Sequence, residues 1–215
     1  MIFGSISYLN LLPFQIFMKK YIRHSGLKMG LNYRKNVPSQ INHALSKRQI
    51  DAGFISSIKS PRYHTTNLGI IANKAVYSVF VLEGANKIDN ESASSNRLAQ
   101  VLNLQGEVLI GDKALQYYLK GGEGIDLASA WYEKTRLPFV FARLCYTQHG
   151  KTVKNIAKKF SKQPIKIPQY ILKREAKKRE ITPQQLLWYL KHIEYNMGHK
   201  SQKSLKLFLK MSKKL

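Results

Sequence analysis

Apolar and polar positions come in blocks along the chain, and the block lengths predict alternating strands and helices. Met1 to Phe14 begins as a short apolar strand, breaks into a polar turn holding Ser5, Ser7 and Asn10, and resumes at helical spacing with Phe14, Phe17, Met18, Tyr21 and Ile22. Pro13 has its φ set for the first turn of that helix. Leu31 to Tyr33 reads as a short strand, Pro38-Ser39 opens a helix faced by Ile41, Ala44 and Leu45, and Ile50 to Ile55 reads as a buried strand running into Ser56-Ser57. The first third is thus β-α-β-α-β, a pattern that predicts a parallel sheet with ligands beyond the carboxyl ends of its strands.

Gly69 to Ala72 and Ala75 to Leu82 are the next expected strands, the second long, β-branched and carrying Ser78 in its interior. Ser92, Ser94 or Ser95 is expected to cap a helix bearing Leu98, Val101 and Leu102. Glu107 to Asp112 ends as a strand in Gly-Asp, Asp126 is placed as the cap of a helix from Leu127 to Thr135, and Leu137 to Tyr146 is a second long strand, expected to pair with residues 75 to 82. Two crossings predict two lobes and a cleft, divided as residues 1–77 completed by 148–215, and 78–147 including both crossing strands. Beyond them the chain reads as helices: Val153 to Phe160, a Thr182-Pro183-Gln184-Gln185 capping box leading a stripe of Leu186, Leu190, Ile193 and Met197 that ends at Gly198, and a last face of Leu205, Phe208 and Leu209.

Composition narrows the picture. With 215 residues and 44% hydrophobic content the chain has enough apolar material for one large domain or two small lobes. One cysteine, Cys145, cannot form an internal disulfide, and the six histidines show no metal-ligand spacing, so a metal-free protein of a reducing compartment is expected. The opening residues lack a basic region ahead of an apolar run, and no apolar stretch approaches membrane-spanning length, which makes the cytoplasm the expected location. The net charge of +24 is concentrated late: residues 151 to 215 carry 18 Lys/Arg against 3 Asp/Glu. Such a balance fits nucleic acid, an anionic surface or an anionic substrate. The basic residues are not interleaved with aromatics as on a base-stacking surface, so they read as solvated helix faces and nucleic acid is not the expected partner.

The chemistry-bearing residues cluster in two hydroxyl-rich helix starts, Ser7 to Asn10 and Ser92 to Ser95. Hydroxyls and unpaired backbone N–H groups at a helix N-terminus suit a carboxylate. Asp112 and Asp126 read as a turn residue and a helix cap.

These motifs together resemble a known family. Ser7-Tyr8-Leu9-Asn10 with Pro13, Asp51 with Ser57, Ser78-Val79, Ser92 to Ser95, Leu109 to Asp112, Asp126-Leu127 with Trp131, and Leu137 to Ala142 are similar, in order and spacing, to the chorismate dehydratases of the futalosine route to menaquinone. The resemblance implies an α/β fold of periplasmic-binding-protein type II with two lobes, here followed by C-terminal helices. It implies a lyase that dehydrates chorismate to 3-[(1-carboxyvinyl)oxy]benzoate without metal or organic cofactor. Carried across by position, the functional asparagine falls on Asn10, the functional serine on Ser78, and the substrate-contacting positions on Ser7, Ser57, Ser94 and Ser95. Ser56, Lys59 and Ala93 depart from the family pattern. Chorismate has two carboxylates, matching the two hydroxyl-rich starts, and the matched turns hold no histidine or acid suited to general-base work, which points to elimination assisted by the substrate's own carboxylate. Rival readings are the paralogous naphthoate-forming lyase, a non-catalytic small-anion binding protein of the same fold, and a basic nucleic-acid-binding protein. The sequence leaves the oligomeric state open.

Overall fold

The structure is a computed structural model, described here for residues 1–24, 32–163 and 165–215. Strand β1 (Ile2–Ile6) leads through a 3-10 turn at Leu9–Leu11 into α1 (Leu12–His24), followed by β2 (Asn32–Asn36), α2 (Pro38–Ser46) and β3 (Ala52–Ser56). A 3-10 stretch, Ser57–Arg62, precedes β4 (His64–Ala72). The chain then crosses to β5 (Val79–Leu82), α3 (Ala93–Leu102), β6 (Glu107–Ile110), α4 (Gly111–Leu119), β7 (Ile125–Asp126) and α5 (Leu127–Thr135). It returns in β8 (Phe139–Tyr146) and ends with α6 (Gly150–Ser161), α7 (Gln169–Lys177), α8 (Pro183–Leu190), β9 (Ile193–Asn196) and α9 (His199–Ser212).

Two sheets form the cores of two lobes. The larger has the order β2-β1-β3-β8-β4-β9, and the smaller β6-β5-β7. Parallel pairing of β1 with β2 and β3 follows from the helical crossovers α1 and α2. The remaining pairs, β3 with β8, β8 with β4 and β4 with β9, are antiparallel. Alternation alone could not settle β8. Expected beside residues 75–82, it pairs instead with β3 and β4, because its apolar faces are buried in the larger sheet. The expected long strand at 75–82 is correspondingly short: β5 begins at Val79 and leaves Ser78 just outside it.

One side of the large sheet is sealed by aromatic packing. The Phe14 ring of α1 lies 5.6 Å from Phe3, 5.0 Å from Phe54 and 5.1 Å from Phe160 of α6. Burying such a ring contributes roughly 1.5–3 kcal/mol, so the helical face predicted from Phe14, Phe17 and Met18 fixes α1 against the strands. The capping box at Thr182 forms as expected, with Gln185 N bonded to Thr182 Oγ1 and Thr182 N to Gln185 Oε1. The stripe behind it does not continue as helix. Helix α8 stops at Leu190, Ile193–Asn196 becomes an edge strand against β4, and Gly198 opens α9 rather than closing α8. Ile193 is buried in either reading, and the unpaired edge of β4 decides between them. Helix α9 is then pinned across α5 by a bond from Trp131 Nε1 to Ser204 Oγ of 2.9 Å. Of the strand expected at 31–33, Leu31 lies outside the described residues. No described helix is long and apolar enough to cross a membrane.

Candidate functional site

The carboxyl end of β1 opens directly onto the site. Ser5, placed in the turn by the sequence, is the fourth residue of β1 and fully buried. Ser7 is exposed, and its N–H donates to Asn36 O at 3.1 Å. The chain then tightens into the 3-10 turn, which swings Asn10 inward, and the Asn10 carbonyl accepts a 2.6 Å hydrogen bond from the Tyr195 hydroxyl of β9. The Asn10 side chain lines a cavity, and its Oδ1 is buried without a hydrogen-bond partner among the described residues. A buried acceptor left unpaired costs roughly 1–3 kcal/mol.

Around Asn10, the turn is clamped to the second lobe by polar contacts. Leu9 N donates to Asp112 Oδ1 at 2.9 Å, and Arg179 Nε donates to Asp112 Oδ2 at 2.6 Å. The same guanidinium reaches Ser7 O at 3.2 Å and Glu175 Oε2 at 2.7 Å. Burial pushes the Asp112 carboxyl above its ordinary value, although Arg179 and the Leu9 N–H pull the other way. Tyr8 packs its ring on Gly111, whose φ is +70°; a Cβ there would lie 2.7 Å from ring atoms, so both the conformation and the space require glycine. The Tyr8 hydroxyl donates to Glu91, and burial, reinforced by that carboxylate, holds the phenol well above its usual range.

The opposite wall is the crossing segment between β4 and β5. Val76 N and Tyr77 N both donate to Asp126 Oδ2, at 3.0 and 2.7 Å, while Asp126 Oδ1 accepts from Ala128 N and Ser129 N and so caps α5 as expected. Burial raises this carboxyl too, against the pull of its four backbone donors. Tyr77 sits at φ +58°, a costly conformation for a bulky residue. Its ring is held 5.0 Å from Tyr118, 4.7 Å from Trp188 and 4.7 Å from His192, which offsets the strain. Ser78 follows, buried, with its carbonyl accepting from Gly111 N at 2.8 Å and its Oγ 2.9 Å from the Tyr189 hydroxyl of α8.

The start of α3 makes the third wall. Ser92 caps the helix by accepting from Ser95 N at 3.2 Å, and its Oγ donates to Ser95 Oγ at 2.8 Å; both serines line the cavity. Ser56, also on the lining, bonds to Asn42 at 2.8 Å through its Oγ. The polar lining therefore consists of Asn10, Tyr8, Ser56, Ser78, Ser92 and Ser95 among apolar neighbours such as Ile6, Ile70, Val76 and Phe141. The described lining contains no carboxylate, imidazole or amine.

Of the residues nominated from sequence, Asn10, Ser78 and Ser95 meet at this cavity. Ser7, Ser57 and Ser94 do not line it. Ser57 Oγ and Ser94 Oγ are buried 3.1 Å apart, Ser94 Oγ also accepts from Ile58 N at 3.3 Å, and the pair fastens one lobe to the other. Sequence reasoning missed Tyr189, Tyr195 and Arg179. A tyrosine inside an apolar helical stripe, as Tyr189 is, needs a partner for its hydroxyl, and that was the available signal. The cavity measures about 40 Å³, against the roughly 300 Å³ or more of an ordinary small-molecule site. Contacts of Ser57 with Ser94 and of Tyr8 with Glu91 join the two lobes. A wider surface groove of about 690 Å³, lined by Pro13, Phe160, Leu187 and the Tyr195 ring among others, brings together none of the nominated residues.

Comparison with known proteins bears on the family and the fold. A family model described as menaquinone biosynthesis matches residues 1–103 and 93–214. A chorismate dehydratase of Campylobacter jejuni is 48% identical over 220 aligned positions, covering 100% of this chain and 99% of the relative. Among solved structures, a protein of Archaeoglobus fulgidus superposes with a TM-score of 0.70 at 12% identity, covering 99% of this chain and 96% of its own. The periplasmic aliphatic sulphonate binding protein of Escherichia coli does so with a TM-score of 0.61 at 14% identity, covering 99% and 90%. At such identities the structural likeness concerns the fold alone, which is periplasmic-binding-protein-like.

Proposed function

The chain belongs to the menaquinone biosynthesis family, and from that premise we propose that it is a hydro-lyase that removes water from chorismate to give 3-[(1-carboxyvinyl)oxy]benzoate. The observation that carries the reading beyond likeness is that Asn10 and Ser78, from opposite walls, line one cavity whose other polar side-chain groups are hydroxyls. The cleft lies between residues 1–77 with 148–215 and a second lobe within 78–147, with β8 on the side of the large sheet.

Dehydration breaks the C3–H and C4–O bonds of chorismate; the proton and the hydroxide leave as water and the ring becomes aromatic. The tyrosine on the lining, Tyr8, is kept neutral by burial and by Glu91, which removes it as a base near neutral pH. A carboxylate of the substrate then takes the C3 proton, while Asn10 and Ser78 hold the reacting conformer and hydrogen-bond the departing hydroxyl or the developing charge. Ser95 at the start of α3, whose oxygen already accepts from Ser92, supplies its hydroxyl proton to a carboxylate. Ser57 and Ser94 act at the lobe closure, and Ser7 through its backbone.

The substrate is a small dicarboxylate, the site of action is the cytoplasm, and the +24 charge serves neither nucleic acid nor membrane in this reading. Incubating the purified protein with chorismate should yield a product lighter by one water, detected by mass. Unchanged chorismate after prolonged incubation with folded protein would sink the proposal in favour of a non-catalytic anion-binding protein.

A further inference from the structure

Both residues assigned to the reaction are held by tyrosine hydroxyls from the same short stretch near the C-terminus. Tyr189 of α8 contacts Ser78 Oγ at 2.9 Å, and Tyr195 of β9 contacts the Asn10 carbonyl at 2.6 Å. The two contacts differ in kind. Tyr195 fixes a backbone atom, whereas Tyr189 meets the one side-chain oxygen of Ser78, and which of those two hydroxyls donates determines what Ser78 can offer to the cavity.

A hydroxyl carries one proton and two lone pairs. Ser78 lines the cavity and can place its proton there, on a ligand. Tyr189 is 1% exposed, and Ser78 Oγ is its hydrogen-bond partner among the described residues. Were Ser78 to donate, the phenolic proton would be buried without an acceptor, at a cost of roughly 1–3 kcal/mol. The lower-energy arrangement has Tyr189 donating and Ser78 accepting. Burial also raises the phenol above its ordinary value, so it remains a donor at every pH at which the protein is folded near neutrality.

We propose that Tyr189 is a positioning residue: its buried O–H donates to Ser78 Oγ and thereby turns the Ser78 proton into the cavity, toward the departing C4 hydroxyl of the substrate. The assignment rests on the role of Ser78 given above. It makes the C-terminal segment part of the site, where the sequence showed only a helical stripe.

Tyr189→Phe removes the hydroxyl and keeps the ring. Its expected effect is a fall in kcat of roughly tenfold or more, with KM within about twofold and a melting temperature close to that of the parent, since the ring still fills its place. The discriminating measurement is the same substitution in a Ser78→Ala background, with product accumulated at high enzyme concentration. If Tyr189 acts through Ser78, Y189F costs little further activity there; a purely structural role costs the same in both backgrounds and overturns the inference. Full turnover by Y189F also overturns it. If S78A itself retains full turnover, the underlying assignment of Ser78 fails instead, which separates the two outcomes. In the parent protein, a slowly exchanging Tyr189 hydroxyl proton with a nuclear Overhauser contact to the Ser78 methylene is expected. Rapid exchange of that proton would refute the donor assignment even if the variant did not fold.

Discussion

The two walls of the cavity are held by opposite strategies. On the Asn10 side, the opening turn is tied down by ionic side chains from distant elements: Asp112 from α4, Arg179 from the α7–α8 turn and Glu175 from α7. The Ser78 side depends on a single carboxylate, Asp126, satisfied by four backbone N–H groups, and on Gly111 N and a buried phenol. An ion-pair network between partly exposed groups weakens with salt, while a carboxylate bonded to backbone amides does not. The same cavity thus has one adjustable wall, sensitive to salt, and one rigid wall, which is not.

Removing the two side chains proposed to act on the substrate should have the largest effect. Asn10→Ala and Ser78→Ala are each expected to lower turnover by roughly 10²–10³-fold with the fold intact, measured by product mass and checked by melting; equal turnover in either would show that its wall does no chemistry. Next comes the rigid wall. Asp126→Ala orphans four backbone donors at once and should cost about 3 kcal/mol, or some 6–12 °C in Tm, with the loss unchanged between low and high salt.

A smaller and salt-dependent loss is expected on the adjustable wall. Arg179→Gln takes the ion-pair partner from Asp112 and one of several from Glu175, whose side chains are 20% and 13% exposed, and should cost about 2 kcal/mol, shrinking as salt rises; a salt-independent loss would erase the contrast between the walls. The smallest effect is in the pH dependence. Burial opposes ionisation of Glu175, but its bonds to Arg174 and Arg179 outweigh that and hold the carboxyl below its usual range. A native pKa below the unfolded one means that this contribution is complete above about pH 4.3 and drains away as pH falls through the native value. Asp112, raised in the native state, has the opposite sign: its contribution is complete below about pH 3.9 and is lost as pH rises through the raised value. Denaturant titrations from pH 3 to 6 should therefore show Glu175→Gln flattening an acid-side loss and Asp112→Asn flattening an acid-side gain, each by about 1 kcal/mol or less.

Local signals carried much of this in advance. Pro13, the serines at 92 to 95, Asp126 and the Thr182 capping box each marked a helix start that the structure contains, because a cap depends on residues within three positions of itself. The parallel β1, β2 and β3 followed from the alternation of strand and helix. Asn10 and Ser78 were legible as motif residues, and Ser95 reached the cavity with them, while Ser57 and Ser94 turned out to bond to each other.

By itself, then, the sequence determined most of the element types, the two-lobed α/β class, the family resemblance and, among its nominations, Asn10, Ser78 and Ser95 on the cavity lining. Tertiary structure alone decided that β8 completes the large sheet, that Ile193–Asn196 is an edge strand, and that Arg179, Tyr189 and Tyr195 hold the site. The reason is range. A helix cap closes over three residues, whereas Tyr189 meets Ser78 across 111 positions and Arg179 meets Ser7 across 172, and no local periodicity records a hydrogen bond whose partner the chain must fold to reach.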